Sequence, residues 1–580
     1  MGHLPRPARF GGAQCPEGKL LLEPGLPSQA AASSRRDRFV LVALFATYTA
    51  LGCLLYRPAF HGGFLSDDAL YLFDNPYVQR FSGSDIGAIL DPWGVPAKNV
   101  AQYVPVDLLL HGLEWQLFGA NPLGYHVVNV VGHALVTTLL VALLRAAGLS
   151  FGAALVGGTF FLVHPANVEA VAWMSQLKSI AALALALCAL LLAPRHPWAA
   201  TGAFVLGVLS KASALLVLPV VAVRKWIGSA APQTRWVALW TLLVAAYTLP
   251  QLAVAKRSGL ALGESAALPL GERLRETASL IGRYFVIAAT SIGVSVQHEP
   301  PVPTSWLDSW VITGILVAGA LTARTLGAFG ARREEAAWWT FAAAGFLPVS
   351  QVLPMVFPMA DRYLYFILPG AIGALLLAVS QAKPGFWERW GRGGTFLPGV
   401  LAAVGLTLLA LRAHERAAVF SSSEAYVADA AAHYPDGTQA LLLRAARSAE
   451  AGERAATLDA VDALGRRGYN SVLPLENDSR FDFVRDDPRF QSVVQAGARF
   501  WTERIRNLPN PTPNELLTLG RAYLVQQEPG AAIAALHQAL ADPGPYRTAI
   551  LAELHEAEAA EIRARPPGEE KGQNDLPPPH

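Results

Sequence analysis

The chain has 580 residues, of which 53% are hydrophobic and only 16% charged, with a formal net charge of +2. That balance excludes an ordinary soluble domain and gives no electrostatic case for a nucleic-acid partner; it predicts an all-α, polytopic membrane protein. The three cysteines, Cys15, Cys53 and Cys188, lie far apart, which argues against a disulfide framework or a cysteine metal site.

Residues 1–38 carry Pro, Gly and Ser without periodicity and read as a disordered cytoplasmic tail ending in Arg35, Arg36 and Arg38. The apolar run from Phe39 to Tyr56 is long enough to span a bilayer and is not followed by a small-residue cleavage site, so it reads as a signal anchor with its N-terminus inside. Asp67 and Asp68 then fall on the outer side, opening a loop over 57–124. Two successive acids cannot share one face of a regular element, so a turn or a helix start is expected there, and a helix cap is the simplest role for the pair. Within the loop, Leu108 to Phe118 reads as an amphipathic helix lying on the membrane surface.

Further spans are expected over about 125–145, 151–163, 173–193, 236–254, 309–326, 338–354, 362–380 and 396–412, with shorter segments 198–210 and 213–224 flanking Lys211. Arg145, Arg195, Arg224, Lys225, Arg235, Arg324, Arg332, Arg333, Lys383, Arg389 and Arg392 then all fall inside. The count is about eleven, which sends the C-terminus outside. Leu280 to Val296, interrupted by Arg283, fits that rule only as a non-crossing interfacial or re-entrant piece. Together these spans make residues 39–412 a membrane domain; Ala, Gly and Arg richness suggests a bacterial inner membrane.

Beyond Arg412 the composition turns charged and Leu-periodic. Leu516, Leu519, Gly520, Tyr523, Ala532, Leu536 and Ala539 match tetratricopeptide (TPR) spacing, so 413–565 reads as a TPR-like helical domain on the outer, periplasmic side, able to hold a protein partner. Residues 566–580 read as a second disordered tail.

By this topology Asp67, Asp68, His126, Asn129, His164, Glu169, Lys178, Lys211, Asp361 and Arg362 share the outer face. Ionisable groups in or beside membrane spans are costly, and each is a functional candidate. Each also has a plainer role: His126, Asn129 and His133 recur on one helix face and suit interhelical hydrogen bonds, Glu169 suits a helix start, the lysines could snorkel, and Asp361 could pair with Arg362 beside it. No His pair has zinc spacing, so no metal site is predicted; the aspartates would suit only a hard ion such as magnesium or manganese. A Gly-rich phosphate loop is also missing, which argues against a nucleotide donor.

The acidic pair, Leu117-Phe118-Gly119-Ala120-Asn121-Pro122-Leu123-Gly124-Tyr125-His126-Val127-Val128-Asn129, Phe161-Leu162-Val163-His164-Pro165-Ala166-Asn167-Val168-Glu169-Ala170-Val171-Ala172-Trp173 and Ala360-Asp361-Arg362-Tyr363-Leu364-Tyr365 follow one another in an order that resembles the transmembrane and tetratricopeptide repeat (TMTC) proteins. These are protein O-mannosyltransferase-like enzymes of the GT-C class, and the resemblance covers about residues 60–380. It implies transfer of a sugar, typically mannose, from a polyprenyl-phosphate carrier to a polypeptide hydroxyl at the outer membrane face. On that pattern Asp67 or Asp68 would be the catalytic base. Lys211, Arg283 and Arg362, chosen by charge and sidedness, would offset charge on the departing phosphate, with His126, His164, Glu169, Lys178 and Asp361 also lining the substrate site.

Three motifs depart from the family. Tyr103-Val104-Pro105 stands where Tyr-Arg-Pro is common, Leu177-Lys178-Ser179 where Arg-Lys-Asp is common, and Ala212 follows Lys211 in place of Glu. These losses of charge keep a second reading open, a catalytically inactive membrane-anchored scaffold whose repeats recruit protein partners.

Overall fold

A computed structural model describes residues 29–257, 269–352, 357–381, 396–470, 475–476, 478–508 and 510–564. Residues 1–28 of the tail expected over 1–38, the tail expected over 566–580, the basic residues Lys383, Arg389 and Arg392, and the end of the span expected over 338–354 lie outside the described residues; residues 29–38, expected in the first tail, instead begin the first long helix. Helices, and no strand, make up the described secondary structure.

The longer helices are α1 (Gln29–Tyr56), α2 (Pro105–Phe118), α3 (Pro122–Ala146), α4 (Phe151–Val163), α5 (Leu177–Leu192), α6 (Pro197–Ser210), α7 (Val217–Trp226), α8 (Thr234–Arg257), α9 (Leu270–Thr290), α10 (Ser309–Gly330), α11 (Glu335–Phe346), α12 (Leu364–Ser380) and α13 (Phe396–Ala417). A helical C-terminal portion follows: α14 (Ser423–His433), α15 (Thr438–Glu450), α16 (Arg454–Arg466), α17 (Pro488–Arg506), α18 (Pro513–Val525), α19 (Pro529–Leu540) and α20 (Arg547–Ala564). One compact unit ends at Leu44; everything from Phe45 onward forms the other.

Among the described residues six helices are long and apolar enough to cross a membrane: Arg38–His61, Pro122–Ala146, Met174–Leu192, Thr234–Ala255, Ser309–Gly330 and Asp361–Ser380. Phe151–Val163 and Pro165–Ala172, bent by 53°, make a seventh if read as one broken span. The chain is therefore a multi-pass membrane protein, with fewer full-length spans than the eleven expected. The difference lies in helices too short or too interrupted to cross alone, such as α6, α7 and α11, which pack against their neighbours within the bundle.

Helix α9, interrupted by Arg283, is not among these six. Near its start Thr277 donates to the Ser350 carbonyl at 2.8 Å, and near its end the Ala288 carbonyl lies 3.2 Å from His164 Nε2. The helix crosses α10 where Gly282 and Gly314 let the backbones touch; a Cβ on Gly314 would sit 1.7 Å from the Ala278 carbonyl oxygen.

In the C-terminal portion consecutive helices pack pairwise, α15 on α16 and α18 on α19, around separate apolar cores. A Cβ on Gly520 would meet Leu536 at 2.8 Å, so glycine sets the α18–α19 spacing. This portion rests on the same face as the acidic loop: Lys98 forms a 2.7 Å ion pair with Glu515, and Asn99 donates to the Tyr546 hydroxyl at 2.6 Å.

Candidate active site

The acidic pair occupies a turn. Ser66 takes a left-handed φ of 47°, and Asp68 stands at the start of the short helical turn Ala69–Phe73. Its side chain does not cap that turn. One carboxylate oxygen accepts from the Leu65 N–H at 2.9 Å and the other from the Ser175 N–H at 2.7 Å, so the buried Asp68 ties the turn to the segment following the bent pair. Burial pushes the Asp68 carboxyl up to about 6, against the lowering effect of these N–H donors. The partly exposed Asp67 carboxylate has no hydrogen bond or ion pair among the described residues, and its charge reaches Arg362.

Three sequence-distant segments meet here. Trp173 donates its indole N–H to the Leu65 carbonyl at 3.1 Å. The Arg362 guanidinium pairs with Glu169 Oε1, while its backbone N–H donates to Glu169 Oε2 at 2.7 Å. That guanidinium also lies 5.2 Å from the Trp173 ring centroid. Glu169 is therefore the buried counter-ion of Arg362 rather than a helix cap. Asp361 does not pair with its neighbour: it accepts from the Ser295 N–H at 2.9 Å and pairs with His298 Nε2 at 2.8 Å.

The two lysines converge as well. Lys211 donates to the Ser179 hydroxyl at 2.8 Å, and Lys178 Nζ stands 3.5 Å above the centroid of Tyr71, three residues beyond Asp68. Neither lysine has a carboxylate ion pair among the described residues.

Other expected residues are used structurally. His164 caps the following turn, with Nδ1 accepting from the Ala166 N–H at 3.2 Å while Nε2 faces Ala288. His126 Nε2 lies 3.3 Å from the Gly62 carbonyl oxygen, and Asn129 donates to the Trp173 carbonyl at 3.0 Å. Arg283 stands apart from the lysines; its guanidinium stacks 4.7 Å from the Trp310 ring centroid on the α9–α10 face.

The sequence reading missed the acids and histidine of α2. Asp107, His111 and Glu114 recur at helical spacing, and that face points inward: His111 Nδ1 is 2.7 Å from Glu114, and Nε2 is 3.5 Å from Asp107. Burial raises the Asp107 and Glu114 carboxyls. Burial alone would lower His111, but the two flanking carboxylates outweigh it and raise it. Leu113 and Leu117 form the exposed side of the helix. The i, i+4, i+7 spacing was the available signal, but an amphipathic helix does not state which face is buried. Among the described residues no group of three His, Cys, Asp or Glu side chains could hold a metal ion.

No family model matches the chain, and no solved structure matches it. Among curated proteins it is similar to Protein O-mannosyl-transferase Tmtc1 of Drosophila melanogaster, 32% identical over 175 residues that make up 29% of this chain and 20% of that protein. It is also similar to Protein O-mannosyl-transferase TMTC1 of Mus musculus, 34% identical over 28% of this chain and 18% of that protein, and to Protein O-mannosyl-transferase F38B6.6 of Caenorhabditis elegans, 27% identical over 34% and 30%. The matches thus span roughly a fifth to a third of those relatives' length. Over about a third of its length or less, the chain is thus similar to proteins named as TMTC-type protein O-mannosyl-transferases, and it shares with a membrane enzyme of that kind a multi-pass helical architecture.

Proposed function

We propose that the protein is a membrane glycosyltransferase that moves a mannosyl group from a polyprenyl-phosphate carrier to a Ser or Thr hydroxyl of a polypeptide. The observation that carries this reading is a carboxylate without a side-chain partner, on Asp67, in a turn pinned to the segment that bears Lys178 and within electrostatic reach of Arg362. In the reaction the acceptor oxygen forms a bond to the anomeric carbon as the carbon–oxygen bond to phosphate breaks. The hydroxyl proton passes to Asp67, and the electron pair leaves with the polyprenyl phosphate. Lys178 and Lys211, free of carboxylates, offset the charge of that phosphate, whereas Arg362 is held by Glu169 and shapes the site. Asp68 positions Asp67 by fixing the turn. The relatives' printed names support the reaction class. TPR character of the C-terminal helices would suit them to holding the polypeptide acceptor.

Incubating purified protein with radiolabelled polyprenyl-phosphate mannose and a Ser/Thr-rich peptide tests this. Donor-dependent labelling of the peptide is expected, and Asp67→Asn should reduce it by about 10²–10⁴-fold while membrane insertion is unchanged. Undiminished labelling in Asp67→Asn would remove Asp67 from the reaction. Peptide capture without any labelling would favour the scaffold reading.

A further inference from the structure

Between α6 and α8 runs an apolar groove of about 320 Å³. Val205, Val208 and Leu209 of α6 face Val244 and Tyr247 of α8 across it, and Tyr103 of the outer loop closes one end. Tyr103 is anchored there: its carbonyl accepts from Gln251 at 2.8 Å and from the Tyr247 hydroxyl at 3.3 Å. The volume is at the small end for a ligand pocket, and α8 is itself largely uncovered by protein, so the groove borders the membrane interior.

The chain just beyond the groove bears on its occupant. Leu209 lines the groove, and Lys211 follows two residues later, its N–H bonded to the Gly207 carbonyl at 3.0 Å. Its ammonium reaches Ser179 at 2.8 Å, beside Lys178. Two cations, one of them only 5% exposed, thus stand together with no carboxylate ion pair among the described residues. Asp107 accepts from the Lys178 backbone N–H and acts on both ammonium groups through space, without an ion pair to either. A buried cation is costly until an anion joins it, so the pair is completed by a ligand carrying a negative charge next to a lipid-soluble chain.

We infer that the α6–α8 groove holds the isoprene units nearest the phosphate of a polyprenyl phosphate, with that phosphate on Lys211 and Lys178. This rests on the donor class proposed above. A second apolar groove, of about 390 Å³ and lined among others by Ile281, Leu321 and Trp339, lacks such a cation pair: Arg283 beside it is stacked on Trp310, and Arg362 is paired with Glu169.

The test is photo-crosslinking of the full chain in phosphatidylcholine vesicles, with a diazirine-bearing polyprenyl phosphate as probe and a diazirine phosphatidylglycerol as control. Label is expected in peptides from 197–210 and 234–255. Val205→Trp and Val244→Trp, which fill the groove, should each reduce it about tenfold, whereas Leu326→Trp in the second groove should not. Lys211→Gln should reduce it without loss of folded protein. Undiminished label in both groove variants, label on 281–288 and 364–371 instead, equal labelling by phosphatidylglycerol, or no labelling of the wild type would each overturn the inference. Label at the groove without mannosyl transfer would sink the proposed reaction and leave the groove assignment standing. Transfer with label elsewhere would do the reverse.

Discussion

Asp67 and Asp68 are adjacent in sequence and opposite in circumstance. Both Asp68 oxygens are engaged by backbone N–H groups, so an Asn there keeps one acceptor and turns an NH₂ toward the other donor. Leaving a buried donor unpaired costs about 1–3 kcal/mol. Asp68→Asn is therefore expected to lower thermal stability, while Asp67→Asn, at a partly exposed position without partners, should stay within about 0.5 kcal/mol of the wild type. Detergent-phase melting of the two variants checks this, and equal destabilisation would contradict the division of roles. The pH dependence follows the same residue. A carboxyl raised by burial to about 6 contributes stability that is complete below its ordinary value of 3.8 and is lost as the pH rises through about 6. The shift is worth at most about 3 kcal/mol. Asp107, Glu114 and His111 are raised too and act with the same sign. The wild type should thus melt higher at pH 5 than at pH 7, and Asp68→Asn should narrow that gap; a wild type more stable at pH 7 would refute the assignment.

Among the elements, α9 and α10 make the tightest crossing, and there the backbone itself is the contact. A methyl group at Gly314 meets the Ala278 carbonyl, which no side-chain rotation can relieve, whereas one at Gly319 on the same helix meets nothing within 4 Å. Gly314→Ala is expected to cut the yield of folded protein severely and Gly319→Ala to leave it unchanged, as monodisperse recovery on size exclusion would measure; equal recovery would mean that the helices are free to separate. The same crossing marks how far the sequence could be read. Apolar runs located most helices, and the segment interrupted by Arg283 is a helix that falls outside the six apolar spans. The ordered motifs located the turn of Asp67 and Asp68, Glu169 and Arg362. They could not pair them: Glu169 and Arg362 are 193 residues apart, and nothing local distinguishes a buried counter-ion from a helix cap. His298, the partner of Asp361, sits in a stretch without periodicity, so no pattern announced it. For α2 the period was legible but its orientation was set by what the loop encloses, which is tertiary information.

At the scale of the molecule, the C-terminal helices are attached to the membrane domain at two places. One involves the stretch before α10: Glu299 accepts from the Thr438 N–H at 2.9 Å, and His298 Nδ1 meets the Tyr434 hydroxyl at 3.0 Å. That same His298 holds Asp361, next to Arg362, while Tyr426 of α14 lies 6.5 Å from Trp173, so the first C-terminal helices lie against the site. The other attachment is Lys98, whose side chain is only 2% exposed and which donates to Glu515 and to the Asn510 carbonyl, both at 2.7 Å. Glu515 also accepts from the Thr512 N–H at 2.6 Å and so caps α18. Lys98→Met would keep the aliphatic packing and remove the charge, leaving the cap intact and the Asn510 carbonyl without its donor. Since Glu515 is partly exposed, the loss should be about 1–3 kcal/mol, below that of a fully buried pair. Because the first attachment remains, the loss should be local: amide exchange should quicken over 510–525 and 544–564 while 423–450 keeps its protection. Unchanged exchange in the distal helices would show that the Asn99–Tyr546 contact alone secures them, and faster exchange throughout would show that the two attachments act as one.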